Sequence, residues 1–335
     1  MGTMKAAVID RYGEPDELRI AEVPRPRPGV RDLLIRVVAT SVNPVDSKQR
    51  LGTQKMIVRK EFPAILGMDL SGVVEEVGPG VSRYAPGDLV WSSPSHKRPG
   101  TWAEFVCVDE SEVAPKPPSL SHEEAASLPL VALTAWECLH DGRGVGQGSR
   151  VFIQAGSGGV GTAAIQIARH AGAEVTTTCS ARNAELVTSL GASRVVDYRE
   201  EDYVAVVEPQ DHVLESLGPH EWDRALRITR PGGEISAIST GLPEAVGRWG
   251  AVLGPVFMLG PMARAWATAR LSGVAFRPVV RHANGRTLAH IGELVEEGAI
   301  RPVIDDVLPL ADIIEANRRI ESGRTRGKLV IRVAS

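Results

Sequence analysis

The feature that most limits what this chain can become is a glycine-rich run, Gly156-Ser157-Gly158-Gly159-Val160-Gly161, set between two segments of different texture. Before it, Val151-Phe152-Ile153-Gln154-Ala155 is a short apolar run of strand type. After it, residues 162–171 carry Ala164, Ile165, Ile167 and Ala168 on a broad apolar helical face. The pattern G-x-G-x-x-G alone is weak, but between a strand and a helix it has a physical purpose. Gly156 permits the tight turn, Gly158 lets backbone approach a diphosphate, and Gly161 lets the helix lie close on the sheet. The first helical N–H groups lack intrahelical partners, and the helix dipole adds attraction for an anion. Gly156, Ser157, Gly158, Gly159, Val160 and Gly161 are therefore the expected diphosphate-binding residues.

Strand and helix signals then alternate. Strands are expected at 174–179, 194–197, 212–214 and 234–238, with a helix at 183–190 stopped by Gly191. This rhythm predicts a doubly wound parallel sheet with helices on both faces. The tip of the second strand reads Thr178-Cys179-Ser180-Ala181-Arg182 and has no carboxylate to bond a ribose 2′-OH. A guanidinium can grip a 2′-phosphate that a carboxylate would repel. NADP(H) is the expected cofactor, with Ser180 and Arg182 at its phosphate.

The first third differs. Short strand candidates at 5–9, 33–38, 71–77 and 102–108 are separated by Pro and Gly clusters, which suggests a compact, partly open barrel. Ser121 and Glu124 form a capping-box pattern after the linker-like Lys116-Pro117-Pro118-Ser119. Helices at 287–297 and 312–322 and a strand at 328–333 end the chain, and these last elements are expected to return to the first domain.

Bulk properties exclude several classes. The 335 residues suggest two domains, and a net charge of −3 provides no field for nucleic acid. Cys107, Cys138 and Cys179 are far apart, so neither a disulfide framework nor a four-cysteine zinc site is expected, and a reducing, cytoplasmic setting is the simplest. The most apolar stretch, 250–263, is too short to span a bilayer and contains Pro255 and Pro261. It reads as a buried helix or a subunit contact.

Several stretches in order resemble one family: Ser41-Val42-Asn43-Pro44-Val45-Asp46, Gly67-Met68-Asp69-Leu70-Ser71-Gly72, Pro86-Gly87-Asp88, Ala103-Glu104-Phe105, Leu128-Pro129-Leu130 through Trp136, the glycine turn, and Arg326-Gly327-Lys328. The chain resembles the medium-chain dehydrogenase/reductase superfamily in its zinc-free quinone oxidoreductase branch, and 259–302 is most similar to the reticulon-interacting subgroup. The resemblance implies an α/β fold: a GroES-like β-rich catalytic domain over 1–122 and 300–335, and a Rossmann domain over 123–299. It implies Thr134 near the nicotinamide carboxamide, with Ser180, Arg182 and Tyr198 around the 2′-phosphate, and it makes a homodimer plausible.

Zinc-dependent members hold metal with Cys, His and an acid. Here Asn43 stands near the first ligand position and Met68-Asp69 replace a His-Glu pair, so no metal site is expected. Without zinc, hydrogen bonds must polarise a quinone or α,β-unsaturated carbonyl that accepts hydride. Asn43, Asp46 and Lys48 are the catalytic candidates: the amide of Asn43 as donor, Lys48 (or Arg50) as cation for developing enolate charge. Each has a plainer role open to it, Asn43 in a turn, Asp46 as a helix cap, Lys48 in solvent. Many relatives place a tyrosine soon after the glycine matching Gly52, whereas Thr53-Gln54-Lys55 follow here. That departure counts against an enoyl thioester reductase and leaves open an NADPH-binding protein without turnover.

Overall fold

The computed structural model describes residues 2–55 and 58–333. The chain forms two compact units, Met1–Leu133 with His282–Ser335, and Thr134–Arg281.

In the first unit, strands β1 (Thr3–Ile9), β2 (Leu18–Pro24) and β4 (Ala64–Ile65) make a small antiparallel sheet. A larger sheet contains β3 (Asp32–Val42), β5 (Leu70–Val77), β6 (Leu89–Ser92), β7 (Phe105–Asp109) and β8 (Val113–Pro115), with β15 (Ile304–Pro309) and β16 (Lys328–Arg332). Its order is β15-β16-β3-β5-β6-β8, with β7 also paired to β3. The chain end does return to the first domain: β16 runs antiparallel to β3, Leu329 opposite Val42. Leu33, Ile35, Leu70, Val90, Val106 and Val113 fill the interior. Helices α1 (Pro44–Arg50), α2 (His122–Ala126) and α10 (Ile313–Glu321) also belong here, and Ser121 with Glu124 caps α2 as the pattern predicts.

The division of the chain falls at 133/134 and 281/282, so 123–133 and 282–299 lie in the first unit rather than the second. Helix α9 (Gly285–Glu296) is the main reason. A Cβ on Gly285 would stand 2.3 Å from the carbonyl oxygen of Val113, so α9 is pressed onto β8. An apolar stripe announces that a helix is buried, not which sheet buries it.

The second unit starts within α3 (Pro129–His140). Its strands are β9 (Arg150–Ile153), β10 (Glu174–Cys179), β11 (Arg194–Asp197), β12 (Gln210–Glu215), β13 (Thr229–Ala237) and β14 (Ala275–Pro278). Every pairing is parallel, in the order β11-β10-β9-β12-β13-β14. The order reverses between β9 and β12, the switch point where such sheets open a crevice beyond their strand ends. Helices α4 (Gly159–His170), α5 (Ala184–Leu190), α6 (Tyr203–Val206) and α7 (Trp222–Ile228) connect the strands. Phe152, Val196, Tyr203, Val213, Ile235 and Ala269 pack in one core.

Helix α8 (Leu242–Leu271) breaks at Gly250, whose φ of 81° and ψ of 171° suit glycine alone. Residues 251–263 are helical as expected, but of the two readings for this stretch the buried helix does not hold, since Leu253, Val256, Phe257 and Leu259 are each more than half exposed. Among the described residues no helix is long and apolar enough to cross a membrane.

Candidate functional site

The glycine turn sits directly after β9, at the switch point. Ala155 adopts a left-handed φ of 51°, held by its N–H donating to Thr178 Oγ1 (3.1 Å). The N–H of Gly156 donates to the Thr178 carbonyl (2.9 Å) and that of Gly158 to the Ala155 carbonyl (2.9 Å). A Cβ on Gly156 would meet Thr177 Oγ1 at 2.1 Å, and one on Gly161 would meet the Ala155 carbonyl oxygen at 2.4 Å. Both glycines are dictated by crowding within the protein. Gly158 is different: its Cβ would meet nothing nearer than 3.3 Å, and its φ of −82° suits any residue.

The first intrahelical bond of α4 runs from Thr162 N–H to the Gly158 carbonyl (2.9 Å). The N–H groups of Gly159, Val160 and Gly161 precede it, and Ser157 through Val160 are only half-buried. The helix start is therefore open, with the backbone donors a diphosphate requires. Ser157 Oγ is bonded by Asn183 Nδ2 (3.0 Å), which ties the turn to the residue before α5. Thr177, Thr178 and Asn183 were not singled out from sequence; the Thr-Thr-Thr run in β10 was the available signal.

Strand register brings the adenosine-side candidates together. Cys179 pairs with Asp197, so Ser180 and Tyr198 leave adjacent strands at the same level. Ser180 is buried, Arg182 exposed and Tyr198 58% exposed. The expected absence of a carboxylate at this tip requires correction, because Asp197 stands there from the next strand. Its Oδ2 accepts the N–H of Ala181 (2.9 Å) and its Oδ1 that of Arg199 (3.0 Å). Each oxygen thus already holds a backbone donor. Sequence distance hid this residue, since the strand tip is shared by two strands. Thr134 is buried in α3, one turn beyond Leu130.

In the first unit, Asn43 and Asp46 come together as expected, but inside a buried network. The backbone N–H of Asn43 donates to Asp46 Oδ2 (2.8 Å), so Asp46 caps α1. The Asn43 amide donates to Asp69 Oδ2 (2.9 Å) and, at 3.4 Å, to Asp46 Oδ2. Asp69 Oδ2 also accepts from Ser41 Oγ (2.6 Å), and its Oδ1 takes the N–H of Leu130 (2.7 Å) at the start of α3. Lys328 on β16 completes the set, donating to Asn43 Oδ1 and to Asp69 Oδ2 (3.4 Å). Asn43 is 1% exposed and Asp46 and Asp69 are wholly buried. With its amide hydrogens already engaged, Asn43 has none to spare for a carbonyl in this arrangement.

Burial pushes the Asp46 carboxyl up to about 7, the neighbouring Asp69 adds to the rise, and the Asn43 N–H and Lys328 oppose it. The same burial holds the Lys328 ammonium below its ordinary value despite the two aspartates. Asp46 Oδ1 is buried without a hydrogen-bond partner. In the sequence, Lys328 carries no signal beyond its place in Arg326-Gly327-Lys328.

Lys48 is half-buried, and its carbonyl accepts the N–H of Thr53 (3.1 Å). Arg50 is fully buried and donates to Glu321 and to the Gly13 carbonyl, so it is a structural cation and not one for substrate. No tyrosine follows Gly52, yet the ring of Tyr12 lies against it, and a Cβ on Gly52 would stand 2.7 Å from Tyr12 Cγ. The phenol oxygen accepts the Lys60 N–H (3.1 Å). Among the described residues no three His, Cys, Asp or Glu side chains gather as a metal-ligand set.

Residues 29–118 match the alcohol dehydrogenase GroES-like domain, and residues 190–331 match the zinc-binding dehydrogenase family. The chain belongs to the medium-chain dehydrogenase/reductase superfamily, a class of oxidoreductases with this pairing of a GroES-like unit and a Rossmann unit. Within it, the chain is 36% identical to the human mitochondrial NAD(P)H oxidoreductase RTN4IP1 over 98% of its own length and 89% of the relative's. It is 33% identical to the 2-methylene-furan-3-one reductase of Solanum lycopersicum, over 98% and 79% of the two chains. Among solved structures, the quinone oxidoreductase of Coxiella burnetii superposes with a TM-score of 0.86 at 31% identity, over 99% of this chain and 100% of that one.

Proposed function

We propose that this chain is an NADPH-dependent, zinc-independent oxidoreductase that reduces a quinone or an α,β-unsaturated carbonyl. The observation carrying this reading is the open start of α4 beside the paired strand tips that bear Ser180 and Tyr198. The N–H groups of Gly159, Val160 and Gly161 bind the diphosphate, and Gly158 leaves room for it. The Ser180 hydroxyl, Arg182 guanidinium and Tyr198 phenol receive the 2′-phosphate. Asp197 holds a backbone N–H on each oxygen, and those two donors partly offset its charge beside the phosphate. Thr134 orients the nicotinamide carboxamide. When bound, the dinucleotide supplies hydride to the acceptor.

In the first unit, Asn43 and Asp46 act by holding residues 41–46 in place through Asp69 and Lys328. Lys48 is the candidate cation for charge gathering on a substrate oxygen. Asn43 and Met68 in place of metal ligands support the zinc-free reading. Two relatives suggest the substrate classes: one is named a quinone oxidoreductase, and the substrate in the other's name is an α,β-unsaturated ketone. Three unpaired cysteines fit a reducing compartment such as the cytoplasm.

The test is a panel of quinones, enones and enoyl thioesters, each followed by loss of NADPH absorbance, with zinc content measured on the same protein. Turnover of a quinone or enone by zinc-free protein is expected. NADPH binding without turnover of any substrate would make the chain a nucleotide-binding protein, and stoichiometric zinc with activity lost to chelator would overturn metal independence.

A further inference from the structure

An exposed helix is ordinarily polar on its solvent face. In α8 the solvent face is apolar. Trp249, Leu253, Val256, Phe257, Leu259 and Trp266 are 45%, 52%, 57%, 51%, 68% and 53% exposed. Beyond the break at Gly250 the packed side is that of Ala265 and Ala269, whereas Val246, before the break, is buried where Gly254 lies against its backbone. Between Gly250 and Leu271 there is no Asp or Glu. The charges on α8 beyond Glu244 are all cationic: Arg248, Arg264 and Arg270, each exposed. A contiguous apolar surface of this kind marks an interaction site.

The cations indicate what covers it. Arg248 lies over the Trp249 ring at 5.0 Å. Arg270 and Arg143 line an open groove of about 600 Å3 whose other walls include Trp266 and Phe276. Aromatic rings beside guanidinium groups, next to aliphatic side chains, match the boundary between acyl chains and phosphate headgroups. In a symmetric contact with a second copy, these arginines would meet a face equally rich in arginine and without acid between 250 and 271. Arg264 is partly answered by Asp223 (2.5 Å), but Arg248 and Arg270 find no acid on the 250–271 stretch of such a twin helix. An anionic lipid surface is complementary to all of them. Among the described residues no helix is long and apolar enough to cross a membrane, so α8 would meet a bilayer at its surface.

We propose that α8 is a membrane-surface helix that docks this protein on a bilayer containing anionic phospholipid, with Leu253, Phe257 and Leu259 entering the acyl boundary and Arg248 and Arg270 against lipid phosphates. The test uses the full chain with phosphatidylcholine vesicles and with vesicles that also contain phosphatidylglycerol, read by co-sedimentation. Binding to the anionic vesicles is expected, weakened by salt, with a blue shift of tryptophan emission that Trp249→Phe and Trp266→Phe diminish. The combined substitution Leu253→Gln, Phe257→Gln, Leu259→Gln should reduce binding roughly tenfold or more. In case that variant unfolds, Arg248→Gln and Arg270→Gln on the surface should each cost about fivefold on anionic vesicles only.

No co-sedimentation with either vesicle overturns the proposal, as does equal binding to both. A monomer–dimer equilibrium abolished by the three glutamines, in protein that does not bind vesicles, would assign the face to a second copy instead.

Discussion

Lys328, 285 residues beyond Asn43 in the chain, buries its ammonium against the side-chain oxygen of Asn43 and within 3.4 Å of Asp69. The contact locks the last strand to the start of α1 and supplies positive charge beside two buried aspartates. A buried cation with good hydrogen bonds is tolerated, whereas a buried carboxylate stripped of its partner is not.

Lys328→Met should therefore destabilise the protein by about 3–5 kcal/mol, because it removes the buried cation that faces Asp69 and Asn43. Lys328→Arg should lose less, since the charge survives although the guanidinium fits poorly. Urea unfolding of the purified variants measures both. Near-wild-type stability of the methionine variant would show that the ammonium does not hold this cluster together.

Two glycines of the turn should fail differently. Gly158→Ala puts a methyl group on the open side of the turn, 3.3 Å from the Ala155 carbonyl oxygen, a tight contact but far less severe than the one at Gly161. It should weaken dinucleotide binding on the order of tenfold and lower the melting temperature less than the change at Gly161 does. Gly161→Ala drives a Cβ onto the Ala155 carbonyl oxygen and Gly156 Cα, at 2.4 and 2.7 Å, and should cost about 1–3 kcal/mol of stability. Titration calorimetry and thermal melts on the pair separate the two effects.

Arg182→Ala should lower NADPH affinity by roughly ten- to hundredfold and leave NADH affinity unchanged, because only the 2′-phosphate is lost from the charge-assisted contact. Equal loss for both dinucleotides, or for neither, contradicts the assignment of this tip to the phosphate.

Asp46 should make stability depend on pH. Its carboxyl is raised from 3.8 to about 7 in the folded protein, so across that window the native state keeps a proton the unfolded chain releases. The stabilisation is complete below the lower value and is lost as pH rises through the upper one. Asp46→Asn, which cannot ionise, should remove this fall. The wild-type-minus-variant difference in unfolding free energy, measured from acid to neutral pH, isolates it from other carboxylates. A flat difference would mean that the Asp46 carboxyl titrates alike in the folded and the unfolded chain.

The glycine turn, the β-α rhythm after it and the return of the last strand were legible in the sequence, because each is a local pattern with one physical meaning. Strand-turn-helix chemistry at Gly156 to Gly161 depends on neighbours within a few residues, and so does the cap formed by Ser121 and Glu124. What depended on distant partners was not legible. That Asn43 spends its amide on Asp69, that Lys328 rather than Lys48 reaches it, and that Asp197 stands at the tip of the neighbouring strand follow from which strands lie side by side. The affiliation of α9 with β8 and the outward apolar face of α8 were hidden for the same reason: periodicity records that a side chain is apolar, and only the packing of other elements decides what, if anything, covers it.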